Sequence, residues 1–502
     1  MIRASTLVYS TPSDQVGASL PQETARVNQW YNQACKKGEV RTEETMNLLI
    51  KNARYLWPGG DKNPIENISV LVEGSKIIAV GANAAIEPRA AGCRTIAGED
   101  IILLPGLVNT HHHFYQTLTR NFPNVQNAEL FEWLVNLYPL WAKLTADDFF
   151  LSTKVACLEL LQSGCTTTLD HSYLVPTGQN NLYYGQVDAA REAGMRFHLC
   201  RGSMSRSKKD GGLPPDGVVQ SEETIMAETA QLVKAVHQPE PGGMVRIVVA
   251  PCSPFSVSKE LMIEAKRFAN LKGLKCHTHL AETHDEDEYC KRVYGRRPFE
   301  LMEDLAWMDE NSFFAHSVHF SSDEIKRMGR AQSGVAHCPT SNMRLGSGIA
   351  PIVEMKAAGV PIGLAVDGSA SNDCSNMLLE ARNCLLLQRV LKGAKCITAK
   401  ETLQLATIGG AKVLGRDDIG LIEPGYEADL IGIRLDSLRQ AGSSTDPLGA
   451  ILFCAVDRVD LSVVHGELLI HRGKFTRFSD DELAELIRRQ NERSQAIYQN
   501  RD

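Results

Sequence analysis

From Pro105 to about Leu414 short apolar runs alternate with longer amphipathic ones. The short runs, Cys165 to Leu169, Arg196 to Cys200, Val245 to Ala250, Leu274 to His279, Ser312 to Ala315, Gly334 to His337 and Pro361 to Val366, read as buried strands. Between them, segments such as Phe149 to Gln162 and Lys259 to Lys272 carry the three-to-four-residue spacing of helices. With the run that opens at Pro105 this makes eight strand–helix units in line, the order a (β/α)₈ TIM barrel requires. The flanks read differently. Asn47 to Trp57 and Ile68 to Val80 are strand-like with a hairpin turn at Glu73-Gly74-Ser75-Lys76, and strand character returns in Ala428 to Ile433 and Leu461 to Ile470. The pattern predicts an α/β chain with a barrel over 105–420. A small β-sandwich, discontinuous in sequence, takes residues 47–104 and 421–475. A charged helix lies within 476–502, and 1–46 is a polar extension with a short helix over Gln22 to Val40.

In such a barrel the chemistry lies where the strands stop, at their C-terminal ends. The apolar run Ile101 to Leu104 leads into a bend at Pro105-Gly106, and a second run then delivers His111, His112 and His113. In extended chain alternate side chains share a face, so His111 and His113 point together and His112 points away. The fifth strand stops at His277-Thr-His279-Leu-Ala-Glu282, the sixth at Ala315-His316 and the eighth at Val366-Asp367-Gly368. Three imidazoles and a carboxylate suit a catalytic Zn²⁺ or Fe²⁺ with one position left for water. Glu282 and His316 are the types that move protons and orient that water. Singly, His279 reads equally well as a core histidine and Asp367 as a helix cap. Four strands ending in this way favour a metal centre.

Composition narrows the class. A net charge of −7 and a pI near 6.1 give no basic footprint for a nucleic-acid polymer, and no apolar run approaches the length of a membrane span. Thirteen scattered cysteines without a Cys-x-x-Cys pair are expected to be reduced thiols of a cytoplasmic protein. Arg3 is followed by no continuous apolar core, so no secretory signal is expected. Pro251-Cys252 lacks the second cysteine of the cytidine-deaminase zinc signature, and no His-Glu-x-x-His occurs.

Pro105-Gly-Leu-Val-Asn-Thr-His-x-His, His279-Leu-Ala-Glu282, Ala315-His316 and Val366-Asp367-Gly368 resemble the amidohydrolase superfamily, in particular its aminohydrolase branch with one metal. The resemblance runs from residue 47 to about 475. It implies His111, His113, His279 and Asp367 as ligands of one divalent metal, Zn²⁺ first and Fe²⁺ second. It implies Glu282 as proton donor to a ring nitrogen, His316 as the residue that orients the attacking water, and Asp367 as the group that takes its proton. The fourth strand ends in Val249-Ala250-Pro251-Cys252, with no lysine to bridge two metals. Loops such as Cys200-Arg-Gly-Ser-Met-Ser205, Ala250-Pro-Cys-Ser-Pro-Phe-Ser-Val-Ser258 and Asp367-Gly-Ser-Ala-Ser-Asn-Asp373 are similar to those of bacterial 8-oxoguanine deaminases. The likeness to hydroxyatrazine hydrolases is more distant. The implied activity is deamination of an aminated purine, with s-triazines, isocytosine or guanine as the other substrates and an inactive scaffold as the other class. Gln116 stands where guanine deaminases carry a base-contacting glutamine, although a residue opening a surface helix would look the same. Arg201 offers donors to a purine carbonyl or makes a structural ion pair. Cys252 is expected to line the pocket, and His171 to face the cavity or pack in the core. The expected partner is a small heterocyclic molecule, not a nucleic acid or a membrane, and a homo-oligomer such as a dimer stays open. The polar extension departs from the bacterial pattern.

Overall fold

The structure, a computed structural model, describes residues 47–179 and 181–499. The extension 1–46 and its short helix lie outside them. Two sheets organise the rest. The first has nine strands: β1 (Leu48–Leu56), β2 (Ile65–Glu73), β3 (Lys76–Ala82), β4 (Arg94–Ala97), β5 (Ile101–Pro105), β14 (Leu430–Arg434), β15 (Leu461–Val464), β16 (Glu467–His471) and β17 (Lys474–Phe475). The N- and C-terminal flanks are joined where β5 pairs antiparallel with β14, from Ile101↔Arg434 to Pro105↔Leu430. The β2–β3 hairpin turns at Gly74-Ser75, with Glu73 paired to Lys76. One element of the C-terminal flank escaped the strand pattern, the helix Pro447–Phe453.

The second sheet is the barrel, all parallel and in chain order: β6 (Leu107–Asn109), β7 (Cys165–Ser172), β8 (Arg196–Ser203), β9 (Val245–Pro251), β10 (Cys276–Leu280), β11 (Ser312–His316), β12 (Gly334–His337) and β13 (Ile362–Leu364). The chain steps from one sheet to the other at Gly106, whose amide donates to Asp429 O at 2.9 Å. A Cβ there would lie 2.0 Å from Thr166 Oγ1, so no larger residue fits the step. The barrel closes between its first and last strands through Thr110 N–H to Leu364 O at 3.0 Å, Asp367 N–H to His111 O at 3.1 Å and Val366 N–H to Asn109 Oδ1 at 3.0 Å. The lower lumen is packed by Val108, Leu169, Cys200, Val248, Phe313 and Ala336. The larger apolar core lies outside the barrel, under the helices. The C-terminal helix runs over Asp480–Gln499.

A buried ionic rivet ties the N-terminal end of the barrel to the nine-stranded sheet. Arg196 at the foot of β8 forks onto Asp429 with Nε–Oδ2 at 2.7 Å and Nη2–Oδ1 at 2.9 Å, and its Nη1 donates to Gly242 O at 2.8 Å. Both side chains are fully buried. Asp429→Ala removes the fork and leaves the guanidinium with Glu427 Oε2, 3.4 Å away, as its remaining carboxylate, so a stability loss of about 3 kcal/mol is expected in chemical denaturation. A loss below about 1 kcal/mol would show that the rivet is dispensable.

Candidate active site

Strand parity decides which side chains reach the upper lumen. On β7 Leu169 packs the lumen, so His171 points into it two residues later while Asp170 points out to Gln186 Nε2 at 2.6 Å. On β8 Cys200 packs the lumen, so Arg201 points outward. On β10 His277 and His279 both point in. His111 and His113 follow β6 in extended chain, and their Nε2 atoms lie 3.4 and 3.3 Å from Asp367 Oδ1. His112 turns the other way, onto Ser375 Oγ at 2.8 Å.

The outer ring nitrogens fix the tautomers. A carbonyl oxygen only accepts, so His113 Nδ1, 2.8 Å from His171 O, and His279 Nδ1, 2.6 Å from Cys252 O, each carry a hydrogen. His277 Nδ1 donates to Phe313 O at 2.9 Å, which leaves its Nε2 to accept from His111 Nδ1 at 2.7 Å. Burial holds His111 and His279 well below the usual imidazole range and also lowers His113, so all three are neutral. Their Nε2 lone pairs therefore converge. His113 Nε2 and His279 Nε2 are 3.1 Å apart, and His111 Nε2 meets no hydrogen-bond donor among the described residues. Lone pairs and a carboxylate oxygen aimed at one point repel unless a cation lies between them, and neutral imidazoles with one carboxylate are the donor set of a divalent metal. This is a buried His/Asp metal-binding site. His171 belongs to the same cluster. It stacks on His279 at 4.8 Å between ring centroids, and its Nε2 donates to Ala250 O at 3.0 Å.

Beside the cluster stands a pair able to share a proton. His316 Nε2 is 3.3 Å from Glu282 Oε2 and 4.0 Å from Asp367 Oδ2. Burial pushes Glu282 up to about 7. Burial opposes a charge on His316, but the Glu282 and Asp367 carboxylates outweigh it and raise its pKa. Burial also works against Asp367, but the charge on His316, 4.0 Å from its Oδ2, helps to hold it well below the usual carboxylate range. Ala281, His316 and Asp367 have left-handed backbone, with φ of +53°, +70° and +63°. Each costs a non-glycine residue about 1 kcal/mol, a strain that collects at functional strand ends.

A cavity opens over these groups, lined by His113, His279, Glu282, His316 and Asp367 together with Gln116, Cys252 and an apolar wall. Gln116 is fully buried, and neither end of its amide makes a hydrogen bond among the described residues. Glycine at 368 is required beside it, since a Cβ there would lie 1.9 Å from Gln116 Oε1. Cys252 lines the cavity as a thiol, pushed up to about 12 by burial. Trp133 is in the wall, with Tyr115 packed behind on Trp141. Arg201 is not at the cavity. It pairs with Glu228 Oε2 at 2.6 Å and Gln220 Oε1 at 2.7 Å, the structural alternative of the sequence reading. The expectation that it ends its strand fails because β8 runs on to Ser203, and parity then turns it away.

Several supporting residues were not individually anticipated. Ser341 Oγ donates to Asp367 Oδ2 at 2.6 Å, Asn342 Oδ1 accepts from His316 Nδ1 at 2.9 Å, and Glu286 accepts from Ala281 N at 3.0 Å and Glu282 N at 2.9 Å. Ser341 and Asn342 lie in the short helix Pro339–Arg344 after β12, whose polar run was the available signal. Glu286 carried none, because a glutamate in a helix's first turn looks like an ordinary solvent-facing acid.

Comparison with known proteins agrees with this architecture. The pattern of the amidohydrolase family matches residues 102–469. An 8-oxoguanine deaminase of Pseudomonas aeruginosa is 52% identical over 365 residues, 73% of this chain and 81% of that protein. A hydroxydechloroatrazine ethylaminohydrolase of Pseudomonas sp. strain ADP is 33% identical over 440 residues, 84% of this chain and 90% of its own. The crystal structure of a zinc-complexed atrazine chlorohydrolase from Arthrobacter aurescens superposes with a TM-score of 0.84 at 30% identity, covering 89% of this chain and all of that one. The chain belongs to the amidohydrolase family.

Proposed function

We propose that this hydrolase is a metal-dependent deaminase of an aminated purine and that its reaction is 8-oxoguanine plus water to urate plus ammonia. The observation that carries the reading is the buried, unsatisfied Gln116 amide over the histidine cluster, in a chain half identical to an 8-oxoguanine deaminase. An amide offers a donor and an acceptor side by side, the complement of a ring amide edge. Trp133 and Tyr173 supply aromatic wall for a flat base. The s-triazine hydrolases among the relatives are less similar.

In this reading His111, His113, His279 and Asp367 hold one divalent ion per chain, Zn²⁺ in preference to Fe²⁺. Such an ion, when bound, polarises water and lowers its pKa towards about 7. The remaining steps belong to the side chains. Asp367, kept ionised, takes a proton from the water as it attacks the ring carbon that bears the amine. Glu282, protonated near neutrality, donates to the adjacent ring nitrogen and keeps the adduct from becoming anionic. His316, held by Asn342, steadies the developing oxygen charge. The proton on Asp367 passes to the amine, which leaves as ammonia, while the adduct's hydroxyl proton returns to the Glu282 carboxylate, so the ring keeps a carbonyl and the acid is restored.

The decisive assay is urate formation from 8-oxoguanine by metal-analysed protein, with guanine and isocytosine alongside and read by ammonia, and hydroxyatrazine read by ethylamine. Ethylamine from hydroxyatrazine without urate from 8-oxoguanine would move the substrate to the triazines. Neither metal nor ammonia nor ethylamine would leave a scaffold.

Three variants or conditions probe the roles. Glu282→Gln keeps shape but not the proton, so kcat is expected to fall by about 10²–10⁴ with metal content unchanged. Gln116→Leu removes donor and acceptor at similar volume, and kcat/KM for 8-oxoguanine is expected to drop about 10- to 100-fold with the metal retained. The reactive state needs its proton on Glu282, whose pKa is raised to about 7. Activity should therefore be present below that value and decline as pH rises through it, about tenfold in kcat/KM per unit on the alkaline side. A flat profile from pH 6 to 9 would remove Glu282 as the donor.

A further inference from the structure

The opposite end of the barrel holds a second cavity, in which the strand parity that builds the active site gathers cations. Cys200, Val248 and His277 face the lumen, so the residues two positions before them face its lower mouth: His198 on β8, Arg246 on β9 and Lys275 at the foot of β10. Asn311 stands at the foot of β11 on the same wall.

The charges here are not neutralised by the cavity's own lining. No carboxylate lines it among the described residues. The acids nearest Arg246 are Asp417 and Asp418, and those nearest Lys275 are Asp309 and Glu310. Asp418 is committed to Arg416 at 2.7 Å and Asp309 to Lys266 at 2.7 Å, while Asp417 and Glu310 are exposed. Arg246 is held instead by carbonyls, Gly415 O at 3.1 Å and Pro239 O at 3.1 Å, and its Nε has no hydrogen-bond partner among the described residues. Lys275 Nζ donates to Glu310 O at 2.5 Å. The lysine is fitted by Gly415, where φ is +68° and a Cβ would lie 2.5 Å from Lys275 Cε. His198 is the clearest sign of a ligand. It is 1% exposed, lines the cavity, and its Nε2 meets no partner among the described residues. A buried ring nitrogen without a partner costs about 1–3 kcal/mol, which a bound acceptor would recover.

The geometry points to an anion site at the N-terminal mouth of the barrel, built for one small oxyanion of the phosphate class by Arg246, Lys275 and His198. Arg246 Nε and the Lys275 ammonium donate to its oxygens, and His198 contributes Nε2–H as a neutral donor. Asn311 adds an amide. The site is independent of the deaminase chemistry, since none of these residues reaches the upper lumen.

The test titrates inorganic phosphate into the full-length, metal-loaded protein, by calorimetry and ³¹P NMR, with ionic strength held constant by chloride. Saturable binding of one phosphate per chain is expected, weakened about tenfold or more by Lys275→Met and by Arg246→Met. Urate formation by the variants reports whether they are folded. A second readout needs no variant: phosphate should slow reductive methylation of Lys275 relative to the exposed Lys272 in the wild-type chain. Absence of saturable binding, equal affinity in folded variants, or unprotected Lys275 would each overturn the site.

Discussion

A barrel of eight parallel strands closes only where its last strand meets its first, and here both are three residues long. Such short strands cannot hold the seam by a regular ladder, and it is completed by the segments beyond them. Thr110 bonds to Leu364, the Asn109 side chain receives the Val366 amide, and the Asp367 amide bonds to His111 O. The last bond places the Asp367 carboxylate against the imidazoles of the opening strand. The seam and the site are therefore one construction. A residue that loosens the closure also separates the carboxylate from the histidines that face it.

The same economy governs the protons. Burial takes the charge off the three histidines, and backbone carbonyls or the His277 relay fix where each remaining hydrogen sits. What is left at the centre is a set of lone pairs that no donor among the described residues satisfies. Burial acts on Glu282 in the opposite sense, because for a carboxyl the neutral form is the protonated one. One physical cause, exclusion of water, thus produces neutral bases at the cluster and a protonated acid three residues after His279. Asp367 escapes by lying beside His316, whose pKa is raised, and it is the one carboxyl of the group that stays charged. The division into acid and base follows from placement more than from residue type.

The barrel and the convergence of its strand ends were legible in the sequence because both rest on periodicity. Alternating runs fix the strands, and a period of two fixes which side chains face the lumen. The same rule, applied with a strand end set three residues early, misplaced Arg201. Its outward position follows at once from Cys200, but only when β8 is known to continue past it. Glu286, Ser341 and Asn342 were harder to read for a different reason. Their partners are backbone amides or buried side chains of the site, distant in sequence or across a turn, and no local pattern separates such residues from ordinary polar surface positions. Gln116 was visible only through resemblance. Its buried, unpaired amide is a property of the folded cavity, and so is the glycine at 368 that makes room for it.

Charge is used in more than one way along the barrel. At the lower end Arg196–Asp429 is paired and buried and joins β8 to the flanking sheet by a fixed fork, and Arg416–Asp418 closes a second buried fork within one loop, while Arg246 and His198 at the mouth each keep a nitrogen without a partner among the described residues. At the upper end ionisable groups are left short of partners, and backbone is bent into left-handed conformations at Ala281, His316 and Asp367. Strain and unsatisfied polarity of about 1–3 kcal/mol per residue are tolerable there only because the rest of the fold is over-determined. Glu286 illustrates the coupling. Its carboxylate receives the amides on both sides of the Ala281–Glu282 peptide, so the strained turn is locked and the acid is aimed at the same time. The ionic rivet below and the strained turn above are thus parts of one balance, in which stability built at one end of the strands permits chemistry at the other.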